Sequence, residues 1–140
     1  MKKHAMLLTL GCLTAITISG RSVQDLFFPE ISKLGELNLI NKNLDSLDGL
    51  QNISDKKRIK CLYLGNNQLE KLPPNIFKGF TNLTWLSLDG NKLKTLPAVI
   101  FKDLKKLKIL SLNRNPLRNG EEEKISAEVK KSAPACTIFF

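Results

Sequence analysis

Leu83-Thr84-Trp85-Leu86-Ser87-Leu88-Asp89-Gly90-Asn91-Lys92-Leu93 is the stretch on which the fold turns. Leu86 and Leu88 are two apart, so a short strand puts both on one face. Leu83 precedes them by three residues and Leu93 follows by five. Neither a helix nor a single strand brings all four leucines together, so the chain must turn before and after the strand. Asn91 falls where the chain turns inward, and its amide both donates and accepts. It can therefore pair backbone groups that the turn leaves without partners.

The same string recurs on both sides. Ile59, Leu62, Leu64, Asn67 and Leu69 lie 24 residues earlier; Leu107, Leu110, Leu112, Asn115 and Leu117 lie 24 later. An earlier copy runs from Leu34 through Leu37, Leu39 and Leu44, a 25-residue step before Ile59, with Lys42 at the Asn position. The two central copies also share their second halves: Leu72-Pro73 with Ile76-Phe77 and Phe80, then Leu96-Pro97 with Ile100-Phe101 and Leu104. Four copies of L-x-x-L-x-L-x-x-N-x-L resemble the leucine-rich repeat family, in its 24-residue form. The resemblance implies an α/β repeat, a solenoid of about four coils over residues 34–117, with parallel strands on its concave face. It also implies that Asn67, Asn91 and Asn115 form a ladder from coil to coil. One coil cannot bury its own leucines, but stacked coils bury a continuous core.

The ends are expected to act as caps. Residues 21–33 carry Val23, Leu26, Phe27, Phe28 and Ile31, enough apolar area to cover the first coil. Residues 118–140 form the other cap. A helix is expected over 119–132, with Asn119 as N-cap, acidic Glu121 to Glu123 at its positive end, and Ile125 and Val129 facing the core. Pro134 stops it, and Cys136 to Phe140 reads as a last strand added to the sheet.

Residues 1–20 read as a secretory signal: Lys2 and Lys3 precede an uncharged apolar run from Ala5 to Ile18, with cleavage after Gly20 or Ser22. The run of about 14 residues is short of the roughly 20 that span a bilayer, and no later stretch is long and apolar enough. A lipid anchor at Cys12 is a further reading. Removal of residues 1–20 takes away His4, the single histidine, and lowers the formal charge from +9 to +7. A chain without histidine excludes Ser-His-Asp and Cys-His catalysis and His-containing zinc sites. No catalytic, cofactor or metal residues are assigned. At 140 residues, 42% apolar and 25% charged, the chain is one small domain and not a disordered tail.

The outward positions of the strands form columns. Glu36, Cys61, Trp85 and Ile109 make one; Asn38, Tyr63, Ser87 and Ser111 a second; Gly35, Lys60, Thr84 and Lys108 a third. Asn41, Asn66, Gly90 and Arg114 follow the strands. Strands are about 4.8 Å apart, so Tyr63, Trp85 and Ile109 should nearly touch, and Trp and Tyr are enriched at binding hot spots. The expected function is a non-enzymatic protein-binding module. Its partner would contact Trp85, Tyr63, Ile109, Asn38, Ser87, Ser111, Lys60, Lys108 and Arg114. The alternative is an anionic glycan or envelope polymer held by charge. No stacking series suits nucleic acid, and a monomer is expected. Lys71, Lys78, Lys92, Lys94, Lys102, Lys105 and Lys106 are expected in turns and on the convex side. Cys61 and Cys136 would stand about 14 Å apart across three strand steps, beyond the roughly 7 Å limit for a disulfide. The family's animal extracellular members carry disulfides in their caps. The lack of them here, with the Lys-Lys signal, looks bacterial.

Overall fold

The computed structural model describes residues 21–23 and 31–140. The expected signal segment, Cys12, and the cap residues Leu26, Phe27 and Phe28 lie outside the described residues. Five three-residue strands follow one another: β1 Glu36–Asn38, β2 Cys61–Tyr63, β3 Trp85–Ser87, β4 Ile109–Ser111 and β5 Thr137–Phe139. They stack in chain order as one parallel sheet. Leu37, Leu62, Leu86, Leu110 and Ile138 are in register through its middle. Each strand is only three residues long because the central leucine must face inward while the next inward leucine has already begun the turn.

The convex wall is built from tight turns. Short 3-10 segments occupy Leu50–Asn52 and Ala98–Phe101 on this wall, and a third, Lys56–Arg58, forms the turn that leads into β2. Pro97 enters the Ala98–Phe101 segment at φ −61°, within the range its ring imposes. Phe77, Phe80 and Phe101 lie fully buried between this wall and the strand leucines. Phe77 and Phe80 meet edge to face at 6.4 Å. Burying such a side chain contributes about 1.5–3 kcal/mol. One apolar cluster runs from Val23 to Ala133.

The ladder has a direction. Asn91 Nδ2 donates to Leu64 O of the preceding coil and to Leu88 O of its own, while its Oδ1 accepts from Leu69 N. Asn115 repeats this with Leu88 O, Leu112 O and Leu93 N. Asn67 reaches back to Leu39 O and accepts from Lys42 N and Leu44 N. Each rung thus completes the coil before it. The absence of Asn at position 42 follows: the turn of the first coil is served by Asn67, and the exposed Lys42 side chain leaves no rung missing.

Leu34 departs from expectation. Instead of opening the first coil in the core it is 74% exposed. Ile31 bridges Leu37 in antiparallel fashion, Gly35 N donates to Ser32 O, and Ser32 N donates to Glu36 O. This is a hairpin with Leu34 at its tip. Gly35 adopts φ +83°, and a Cβ there would collide with Arg58 O. The local hairpin thus overrides the repeat at the end where no further coil is stacked. Val23 is buried in the core as the cap requires, and Ile31 is half-buried.

The C-terminal cap differs in detail. Helix α1 spans Glu121–Ser132 and begins after Gly120 at φ 80°; Asn119 does not cap it, and no side-chain hydrogen bond caps its N-terminus. A left-handed Gly120 makes the sharp exit from the last coil that Asn119 could not make as cheaply. Ile125 and Val129 are buried against the coils. Cys136 lies just before β5 rather than in it.

Candidate functional site

The outer face of the sheet carries the aromatic pair. Tyr63 and Trp85 sit on adjacent strands, with ring centroids 5.8 Å apart and planes at 70°. Trp85 is 40% exposed. Ile109 is in register with Trp85 on β4 and half-buried. The Tyr63 phenol is pushed up to about 12, first by burial, then by its hydrogen-bonding neighbour Cys61 and the charges of Cys61 and Glu36. It therefore stays a neutral donor through physiological pH. Cys61 and Cys136 are free thiols. Burial pushes the Cys136 thiol up, and a backbone hydrogen bond at Leu110 partly opposes this.

β5 extends the columns beyond those read from the repeat. Thr137 continues the Trp85 column, and Phe139 continues that of Tyr63, Ser87 and Ser111. Phe139 is 48% exposed. Nothing in the repeat signature marks Phe139, because β5 follows a helix and not a coil.

Not every expected contact residue is free to contact a partner. Ser87 is buried, and its hydroxyl donates to Asp89 Oδ2 at 2.8 Å. Ser111 Oγ donates to Asp89 Oδ1, which also accepts from Asn113 N at 3.0 Å and Asn113 Nδ2 at 3.3 Å. Asp89 therefore holds both serine hydroxyls; Ser87 is buried beneath the face, while Ser111 stays half-buried on it. Sequence spacing misses Asp89, since Ile40, Gly65 and Asn113 share its position and no pattern repeats there. Asn38 is exposed, with its Oδ1 accepting from Ile40 N at 3.0 Å.

Lys60, Lys108 and Arg114 are exposed. Asn41, Asn66, Gly90 and Arg114 all take left-handed φ, between 53° and 61°. Asn and Gly accept this conformation readily, Arg does not. Arg114 spans two coils to meet Asn66 Oδ1 at 3.4 Å. Gly90 lies between them, and a Cβ on it would collide with that oxygen. The expected residues thus form a floor of Tyr63, Trp85 and Ile109, with Lys60 and Lys108 at the strand entries and Arg114 beyond the strand exits. Among the described residues no cluster of His, Cys, Asp and Glu could hold a metal ion, and no helix is long and apolar enough to cross a membrane.

This geometry is that of a short parallel-β solenoid with a capped helix end and an exposed inner sheet. Residues 57–117 match the family profile described as leucine rich repeat, and the fold is that of a leucine-rich repeat solenoid. It is similar to the leucine-rich repeat domain of APL1B, at 29% identity and TM-score 0.65 over 76% of this chain and 31% of that one. It is also similar to a chain of the LRIM1/APL1C complex, at 29% identity and TM-score 0.63 over 74% of this chain and 18% of that one. The LRR protein LIC12759 of Leptospira interrogans is 36% identical, with TM-score 0.61 over 75% of this chain and 25% of that one. The chain thus spans less than a third of each of these proteins. No curated protein matches the sequence.

Proposed function

We propose that this chain is an exported, non-enzymatic module that binds a protein partner on its concave sheet. One observation carries the reading: Trp85, the only tryptophan, stands 40% exposed in mid-sheet, braced edge-on by the only tyrosine and flanked by Ile109. A preorganised aromatic on a rigid sheet offers large apolar area at little cost in side-chain entropy. Lys60, Lys108 and Arg114 at its margins favour acidic residues around that contact. One of the similar structures is itself a complex of two named proteins, LRIM1 and APL1C.

The test is quantitative retention of a partner, isolated from the native host or its surroundings, on immobilised protein. Trp85→Ala should weaken binding by about 30-fold or more, and thermal stability should change little. Reversing Lys78 and Lys102 to Glu, exposed residues away from the strands, should leave protein binding nearly unchanged. A silent Trp85→Ala with binding lost on the double reversal would refute the concave site. Export has its own readout: protein recovered from the native cell should begin near Arg21 or Val23.

A further inference from the structure

The lysines that look spread along the sequence are gathered by the stacking of the coils. The 24-residue steps that align β2, β3 and β4 also align the residues entering those strands. Lys57, Thr81 and Lys105 form one row. Arg58, Asn82 and Lys106 form the next, and Lys60, Thr84 and Lys108 the third. In every row the second and fourth coils present a cation, and the third coil presents a neutral hydroxyl or amide. Hydrogen bonds tie the rows together: Asn82 Nδ2 donates to Lys57 O and Lys106 Nζ to Asn82 Oδ1, both at 2.8 Å, and Thr84 Oγ1 to Lys60 O at 3.0 Å. Lys105 and Lys106 thus belong to the turn entering β4 beside Lys108, not to the convex wall.

All six basic residues are exposed. Arg58 alone pairs with a carboxylate, Asp55 at 3.4 Å; among the described residues the five lysines form no ion pair. Asp103, half-buried two residues before Lys105, and Glu36, half-buried on β1, are the other acids along this side. The opposite rim, where the strands exit, carries Asp45, Glu70 and Asp89 among Lys42, Lys71, Lys92, Lys94, Arg114 and Arg118. The entry rim differs in arrangement: its cations repeat at the same three positions on two coils and face a neutral coil between them.

We propose that the rim at the strand entries is a binding site for a linear anionic polysaccharide lying across the coils. The two cationic banks are two strand steps apart, about 10 Å, a span of two sugar rings. Thr81, Asn82 and Thr84 fill that gap with groups that hydrogen-bond sugar hydroxyls. Lysine ammonium groups are compact, rotatable donors and suit sulfates or carboxylates presented at variable angles. Nucleic acid fits less well, because the only Trp and Tyr face the concave sheet and the rim offers no ring on which a base could stack.

The probe is a heparin-derived hexasaccharide titrated calorimetrically into the full chain at low and physiological salt. Binding should weaken with salt. Changing Lys57, Lys60, Lys105 and Lys108 to Gln should weaken it about tenfold or more, and the same change at Lys42, Lys71, Lys92 and Lys94 by less than about twofold. Thermal unfolding of both quartets checks that each variant is folded. Trp85→Ala should leave hexasaccharide affinity unchanged, so failure of this rim and failure of the concave site are read separately. Equal losses from the two quartets would reduce the effect to net charge and overturn the site. So would no binding by the wild type. A single-stranded oligonucleotide of equal charge that binds as tightly would overturn the choice of glycan.

Discussion

The Glu121 carboxylate replaces a neighbouring coil for Leu96. Its Oε1 accepts the Leu96 amide at 2.7 Å, while Lys124 Nζ reaches Leu96 O at 3.1 Å and Glu121 Oε1 at 3.1 Å. A buried acid and its half-exposed partner thus satisfy both backbone groups of a residue at the solenoid's end.

Glu121→Ala should destabilise the chain by about 1.5–3 kcal/mol, since a charge-assisted hydrogen bond is lost and a buried amide is orphaned. Glu121→Gln, which keeps the acceptor, should cost less. Glu122→Ala, one residue on and exposed, should stay within about 0.5 kcal/mol. Denaturant unfolding of the three variants checks this; similar values for Glu121→Ala and Glu122→Ala would remove Glu121 from the cap.

Asn91→Ala should cost about 1–3 kcal/mol, because Leu64 O, Leu88 O and Leu69 N lose their side-chain partner in the interior. Asn75→Ala, at an exposed turn whose backbone carbonyl accepts from Gln51, should stay within about 0.5 kcal/mol. Equal midpoint shifts would contradict the ladder.

Gly120 and Gly90 separate backbone strain from collision. Gly120 has open space around a Cβ, so Gly120→Ala carries only the left-handed penalty of about 1–2 kcal/mol. Gly90→Ala adds the clash with Asn66 Oδ1 and should cost roughly 1 kcal/mol more. Thermal unfolding of the pair decides it, the contrary result being equal shifts.

The single tyrosine makes its titration directly visible. Phenolate absorbance should rise around pH 12 in the folded protein, against an ordinary value of 10.0. The sign for stability follows: the unfolded chain releases this proton first, so the Tyr63 contribution is intact below about pH 10 and is lost as pH climbs towards about 12. A folded-state midpoint near 10 would mean that burial and the Cys61 contact do not hold the proton.

The coils were readable because their spacing is a packing requirement. Leu62, Leu86 and Leu110 must fall at one depth, and any slip would turn them to solvent. The same rule misled at Leu34, where the residue fits the spacing but the hairpin closed by Gly35 dominates. Trp85, Tyr63 and Ile109 could be placed on one face by period two alone. Asp89 could not, because its role depends on reaching sideways to Ser111 and Asn113 on the next coil, and sequence spacing carries no record of side-chain direction. Glu121 was legible as a helix-terminal acid but not as a substitute for backbone, since that needs the helix docked against Leu96.

Because each ladder asparagine serves the coil behind it, the array is polar from end to end, and losing a coil has unequal effects on its two neighbours. Removal of Asn115 with the fourth coil strips Leu93 N and Leu88 O of the third, whereas loss of the first coil leaves Asn67 with surplus hydrogen-bonding capacity but takes no side-chain rung from the second. Unzipping from the helix end therefore exposes one unfinished turn after another, while fraying from the hairpin end leaves finished ones. Amide exchange should run along the chain as a gradient of inheritance, each turn only as protected as its successor.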